Sequence, residues 1–268
     1  MPASGKQRLD VRLHELGLSE SREQGRRLIM AGEVTVDGET VDRPSAAVSA
    51  AAAIALKRKP RFVSRGGEKL DAALTAFGLD VTGWVCADLG ASTGGFTDVL
   101  LQRGAARIYA IDVGHGILDY RLRIDPRVVV MEKTNARYLE ALPEPVQLVT
   151  VDASFISLKL LLPVARGWLT PNAGPASPLG EIVTLIKPQF EAGRQSVGKG
   201  GIVKDPAVHR QVLADVLGWA AANRLPPAGL IRSPITGTEG NVEFLAWLRP
   251  GAAPAFDLPA AIDRVLSE

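Results

Sequence analysis

Beyond residue 80 the chain alternates short, almost uninterrupted apolar runs with stretches of helical periodicity. The runs are VCADLG (85–90), RIYAIDVG (107–114), RVVVMEK (127–133), LVTVDAS (148–154) and EIVTLIKP (181–188). A helical pattern over 206–223 then leads to GNVEFLAWLRP (240–250), which adds at least one further strand. Strands that are apolar at nearly every position are buried on both faces, so the pattern predicts a parallel sheet with helices on either side. The expected class is α/β, a doubly wound, Rossmann-like sheet.

The first fifty residues follow a different rhythm. Leu9, Leu13 and Leu16 recur at helical spacing and Gly17 ends that helix; Ser19 or Ser21 can cap the next, whose stripe continues through Leu28 and Ile29 to Gly32. Val34 and Val36 then alternate with polar neighbours before Asp37-Gly38, the dipeptide of a two-residue hairpin. This predicts a small α+β module over residues 1–60. KRKPRFVSRGGEKL (57–70) opens with an exposed basic connector and runs into an amphipathic helix carrying Leu70, Ala73, Leu74 and Phe77. The boundary is expected near Arg61, with 61–68 as linker and 61–268 as the second domain.

Composition adds limits rather than identity. The chain has 268 residues, 46% hydrophobic and 22% charged, an ordinary globular mixture. Its longest apolar run, AAVSAAAAIAL (46–56), is too short for the roughly 20 residues that cross a bilayer, and the N-terminus is polar. A cytoplasmic protein without membrane contact is expected. The single cysteine, Cys86, reads as a buried strand residue, and the three histidines show no ligand pairing, so no metal is implied. His115 is expected to face solvent or substrate. Charge is uneven: residues 1–69 carry thirteen Lys/Arg against nine Asp/Glu, and the remainder eighteen against twenty. Arg8 and Arg12, and Arg22 with Arg26 and Arg27, give each early helix a basic edge that could dock phosphates.

The turn after the first strand of the second domain reads Asp88-Leu89-Gly90-Ala91-Ser92-Thr93-Gly94-Gly95. Glycine there lets backbone approach a ligand beyond the strand ends. Ser92 replaces the middle glycine of a dinucleotide fingerprint and no P-loop lysine is present, so phosphate binding is disfavoured. Asp112 ends the next strand about twenty residues on, where a carboxylate can hold both hydroxyls of a ribose. Asp88 suits a ligand with a cationic amino-acid end. S-adenosylmethionine (AdoMet) meets both demands. Gly90, Ser92, Thr93, Gly94, Gly95 and Phe96 are expected at its methionine end, Asp112 at the ribose, and Asn135 either near the adenine or capping a loop.

Three charged residues stand where apolar strands end or begin: Asp152, Lys187 and Glu243. Buried singly they would be costly, so they are expected to pair, with Lys69 as a fourth member. The two helices, hairpin and Pro-Ser exit of residues 7–56 resemble the S4 RNA-binding domain, which implies recognition of folded RNA by shape and phosphate contacts. SRGGEKL, DLGASTGGFTDVLLQRGA, DVGHG, DASFISL, KPQFEAG and GNVEF resemble the TlyA, or hemolysin-A-like, family: an S4 domain fused to an FtsJ-like methyltransferase domain. The resemblance implies a class I AdoMet-dependent methyltransferase acting on the cytidine 2′-hydroxyl of ribosomal RNA in ribosomal subunits. It also implies a catalytic tetrad at Lys69, Asp152, Lys187 and Glu243. Arg65, inside SRGGEKL, joins the five N-terminal arginines as a candidate RNA contact.

A ribose hydroxyl is a poor nucleophile and must lose its proton as it attacks the methyl, and Lys187 is the candidate base. An ordinary lysine offers a free amine only on the order of once in a thousand at neutral pH. A second cation at Lys69, burial and the sulfonium would favour the free amine, whereas Asp152 and Glu243 would fix geometry. A non-catalytic rRNA-binding factor and a membrane-active hemolysin are the competing readings, and a monomer is expected.

Overall fold

The computed structural model describes residues 6–19, 21–57, 61–170, 180–237, 239–251 and 256–268. Residues 58–60, the centre of the basic connector, lie outside them. The chain divides into two units, residues 1–61 and 62–268.

The first unit runs β1 (Gln7–Arg8), α1 (Leu9–Glu15), α2 (Arg22–Met30), β2 (Val34–Val36), β3 (Glu39–Thr40), β4 (Ala47–Val48) and β5 (Ile54–Leu56). β1 pairs with β4, while β3, β2 and β5 form an antiparallel sheet. Ser21 caps α2 by accepting the Gln24 amide. Asp37 and Gly38 both take positive φ between the paired Val36 and Glu39, the geometry a right-twisted hairpin needs. Leu9, Leu13, Ile29, Val34 and Val48 make the core. Leu16 departs from the predicted stripe and is exposed, because α1 ends at Glu15, and Leu18 packs on the core instead.

The second unit contains α3 (Gly66–Phe77), β6 (Val85–Leu89), α4 (Gly95–Gln102), β7 (Arg107–Ile111), α5 (Tyr120–Arg123), β8 (Val128–Met131), β9 (Leu148–Val151) and α6 (Leu158–Trp168). β10 (Glu181–Ile186), α7 (Pro188–Glu191), α8 (Pro206–Ala222), β11 (Pro227–Arg232), β12 (Phe244–Leu248) and α9 (Leu258–Ser267) complete it. The seven strands lie in the order β11-β12-β10-β9-β6-β7-β8, parallel except for β12, which runs against both neighbours. Successive strand residues serve opposite cores: Cys86, Ile108, Leu148, Val183 and Leu245 meet α3 and α4, while Ala87, Tyr109, Val149, Ile182 and Phe244 face the core containing α6, α8 and α9. That double burial is why the runs are apolar throughout.

β11 is absent from the predicted pattern. It carries Pro227 and Gly229, a register shift falls between them, and its place at the sheet edge tolerates the missing N–H. The chain leaves β6 for β7 and β8 on one side and returns to β9 on the other, so strand order reverses beside β6 and a crevice opens at the carboxyl ends.

Candidate active site

The glycine turn forms one wall of that crevice. Gly90 has φ +87°, and a side chain there would collide with the Asp152 carbonyl, so the turn lies directly on the loop after β9. Gly94 has φ +98° and caps α4 against Leu118 and Leu122. Asp112 follows β7; its two oxygens accept the Ser92 amide at 2.8 Å and the Gly114 amide at 2.7 Å, binding the glycine turn to its own loop. Each oxygen keeps a lone pair for a ligand.

Glu132, just past β8, is not among the residues expected at the site. It accepts Arg123 Nη2 at 2.5 Å, faces His115 Nδ1 at 3.1 Å and takes the amides of Gly116 and Leu118. The Arg123 guanidinium first, and these amides next, hold its carboxyl down at about 2. The signal was available: Glu132 ends an apolar run as Asp112 does. Beside these loops lies a cavity of about 290 Å³ walled by Asp112, Val113, Ile117, Asn135 and Ile156. Asn135 lines it and also accepts the Arg137 amide, so it caps the short helical turn over 136–138 as well.

A larger cleft of about 870 Å³ adjoins it, sharing Gly90, Ser92, Asp152, Ser154 and Phe155. Lys69, Asp152, Lys187 and Glu243 all line this cleft, delivered by the first turn of α3, the ends of β9 and β10, and the residue before antiparallel β12. They form two ion pairs. Lys187 Nζ lies 2.6 Å from Asp152 Oδ1 and donates to Ser154 Oγ at 2.9 Å; Lys69 Nζ donates to Glu243 Oε2, both buried. The expected second cation beside Lys187 is therefore matched by its own carboxylate. A side chain at Gly237 would press on Glu243 Oε1 at 2.6 Å, so the loop before β12 closes over that pair. Ser154 is not among the expected site residues, because a serine in a loop carries no periodic signal.

Gly90, Ser92, Thr93, Gly95 and Phe96 line the larger cleft; Gly94 does not line it and lies against Leu118 and Leu122. Asp88, expected at the cationic end of the ligand, lines neither cavity. It is 0% exposed on the sheet face that also carries Cys86, and its oxygens accept Thr97 Oγ1 at 2.7 Å and Thr150 Oγ1 at 3.1 Å. Burial pushes its carboxyl up to about 7 against those hydrogen bonds. Its place is under α4, tying helix to sheet.

The arginines divide as well. Arg8 and Arg22 both turn to the buried Asp10, at 2.9 and 3.6 Å, and the Arg8 hydrogen bond holds that carboxyl below its usual range. Arg12 reaches the Ala50 carbonyl and Glu15. Arg26 and Arg27 are exposed on α2, without ion-pair partners among the described residues. Arg65 is exposed at the rim of the larger cleft and donates to the Thr236 carbonyl. Among the described residues no His, Cys, Asp and Glu cluster could hold a metal, and no helix is long and apolar enough to cross a membrane.

A doubly wound sheet with a nucleoside-sized cavity opening onto paired lysines and carboxylates defines a methyltransferase-type domain, and the FtsJ-like methyltransferase family model matches residues 62–250. An S4 domain model matches residues 7–54. The chain belongs to the FtsJ-like methyltransferases, in the group that joins this domain to an S4 domain. It is 46% identical to the 16S/23S rRNA (cytidine-2′-O)-methyltransferase TlyA of Mycobacterium tuberculosis over 97% of both chains. It is 48% identical to YqxC of Bacillus subtilis over 92% of this chain and 88% of that one. A solved structure from Streptococcus thermophilus, named a candidate hemolysin, superposes with a TM-score of 0.73 at 43% identity, covering 99% of this chain and 96% of that one.

Proposed function

We propose that the protein methylates the 2′-hydroxyl of a cytidine in ribosomal RNA, with AdoMet as methyl donor, in the cytoplasm. The observation that carries this reading is the convergence of Lys69, Asp152, Lys187 and Glu243, from four separate elements, on one cleft beside the glycine turn. The smaller cavity suits an adenosine: Asp112 has lone pairs for ribose hydroxyls, and Val113, Ile117 and Ile156 offer apolar walls to a base. Gly90 and Ser92 line both cavities, so a methionine arm would pass along the turn into the larger one. AdoMet when bound supplies an electrophilic methyl on a sulfonium.

The rest falls to the protein. Lys187, in its free-amine form, takes the hydroxyl proton as the new carbon–oxygen bond forms. Asp152 and Ser154 anchor that amine from two sides and set its direction. Glu243 and Lys69 neutralise one another while giving the far wall a fixed charge pattern. Phe155 is 90% exposed with φ +64°, and its face offers a surface on which a base drawn from the RNA can stack. Arg26, Arg27 and Arg65 remain available for phosphates.

The test is transfer of labelled methyl from AdoMet to isolated small and large ribosomal subunits, followed by mapping of 2′-O-methyl positions. Label on cytidine ribose is expected; label on a base, or no transfer to either subunit, contradicts the proposal.

A further inference from the structure

The loops after β9 and β10 are joined at three levels. Asp152 meets Lys187, Phe155 packs on Phe190 with ring centroids 4.8 Å apart, and Ser157 with Leu158 meets Glu191. The first two levels line the larger cleft, whereas Glu191 is absent from its lining. Both of its carboxylate oxygens are nevertheless bonded. Oε2 accepts Ser157 Oγ and Oε1 accepts the Leu158 amide, each at 2.7 Å, across 34 and 33 residues of chain. Ser157 is the N-cap of the eleven-residue α6, so a carboxylate from another loop sits on the positive end of that helix.

We propose that Glu191 is a positioning residue: a clasp that locks the loop carrying Lys187 onto the loop carrying Asp152, Ser154 and Phe155. The inference rests on the methyltransferase reading above. Lys187 precedes and Glu191 ends the single turn of α7, which begins with Pro188 and is too short to hold its own direction. With Pro188 at its start and Glu191 tied to α6 at its end, that turn has one placement, and the Lys187 amine is set between Asp152 and Ser154 as a result. Phe190, next to Glu191, is pressed on Phe155 and lies 5.8 Å from Lys187 Nζ. Burial pushes the Glu191 carboxyl above its usual range, against the Leu158 amide and the Ser157 hydroxyl that favour the charged form.

The full-length protein is compared with Glu191→Ala, Glu191→Gln and Ser157→Ala in three measurements: single-turnover methyl transfer, AdoMet affinity, and amide hydrogen exchange over residues 152–158 and 187–191. Glu191→Ala is expected to slow transfer by about 30-fold, a fraction of the roughly 100-fold that a 1 Å misplacement can cost. AdoMet affinity should stay within about threefold, since the cofactor cavity is walled elsewhere, and exchange over both segments should rise. Glu191→Gln, whose amide oxygen still accepts the Leu158 amide, should recover most of the rate, and Ser157→Ala should lie between the two. Transfer by Glu191→Ala within twofold of wild type overturns the proposal, as does equal damage in the Ala and Gln variants with unchanged exchange. A wild-type protein that transfers no methyl overturns the activity instead, and exchange then decides the clasp by itself.

Discussion

The two halves of the crevice are built by different means. On the side of β6, β7 and β8, Asp112 accepts the backbone amides of Ser92 and Gly114, and Glu132 accepts those of Gly116 and Leu118 beside the Arg123 guanidinium, so much of the loop shape rests on backbone donors that do not titrate. On the side of β9, β10 and β12, Asp152 and Glu243 pair with lysine side chains. The first construction suits recognition of a ligand that must always find the same shape. The second suits chemistry, because an ammonium can surrender its proton and a backbone amide cannot.

Separating the halves by mutation sharpens this contrast. Lys69→Ala leaves Glu243 buried without its counter-ion and should cost about 3–5 kcal/mol, read as a drop of roughly 10 °C in thermal unfolding. Lys69→Ala together with Glu243→Ala should recover part of that loss while remaining inactive; a double variant no more stable than the single one breaks the pairing.

Asp88 gives the next largest effect, and it lies in neither half. Its folded-state value near 7 exceeds the unfolded value of 3.8, so its contribution to stability is complete below about pH 4 and disappears as pH rises through 7. The loss amounts to roughly 4 kcal/mol at most. Asp88→Asn should flatten the fall in unfolding free energy between about pH 4 and 7 and leave AdoMet affinity within about threefold. A collapse of AdoMet binding would restore Asp88 to the ligand site.

Asp112→Ala should weaken AdoMet by roughly 10- to 100-fold, the range of one or two lost charged hydrogen bonds. The Ser92–Gly114 loops lose their shared acceptor in the same variant, so Asp112→Asn should fall between. The smallest effect belongs to His115→Ala: the exposed half of its pair with Glu132 should change stability by less than about 0.5 kcal/mol, because Arg123 still holds the carboxylate.

The periodic parts of the second unit were legible, since strands buried on both faces leave continuous apolar text and each chemical residue interrupts it at a strand end. That is how Asp152, Lys187 and Glu243 stand out, and by the same rule Glu132 could have been found. Asp88 was legible as an acid and not as a buried one, because its surroundings, Thr97 and Thr150, come from elements nine and sixty-two residues away. That Asp152 pairs with Lys187 and Glu243 with Lys69 depends on which side of β10 each carboxylate falls, a fact of strand order. β11 was lost to the proline and glycine that its edge position permits, and Leu16 to a helix one residue shorter than its apolar spacing.

The most direct test of the central claim, that the Lys187 amine takes the proton from the attacking hydroxyl, is single-turnover methyl transfer by Lys187→Ala with AdoMet affinity measured on the same sample. Transfer slowed by about 1,000-fold, within the usual range for a lost general base, with affinity within threefold, is the expected result. Transfer within tenfold of wild type would contradict it.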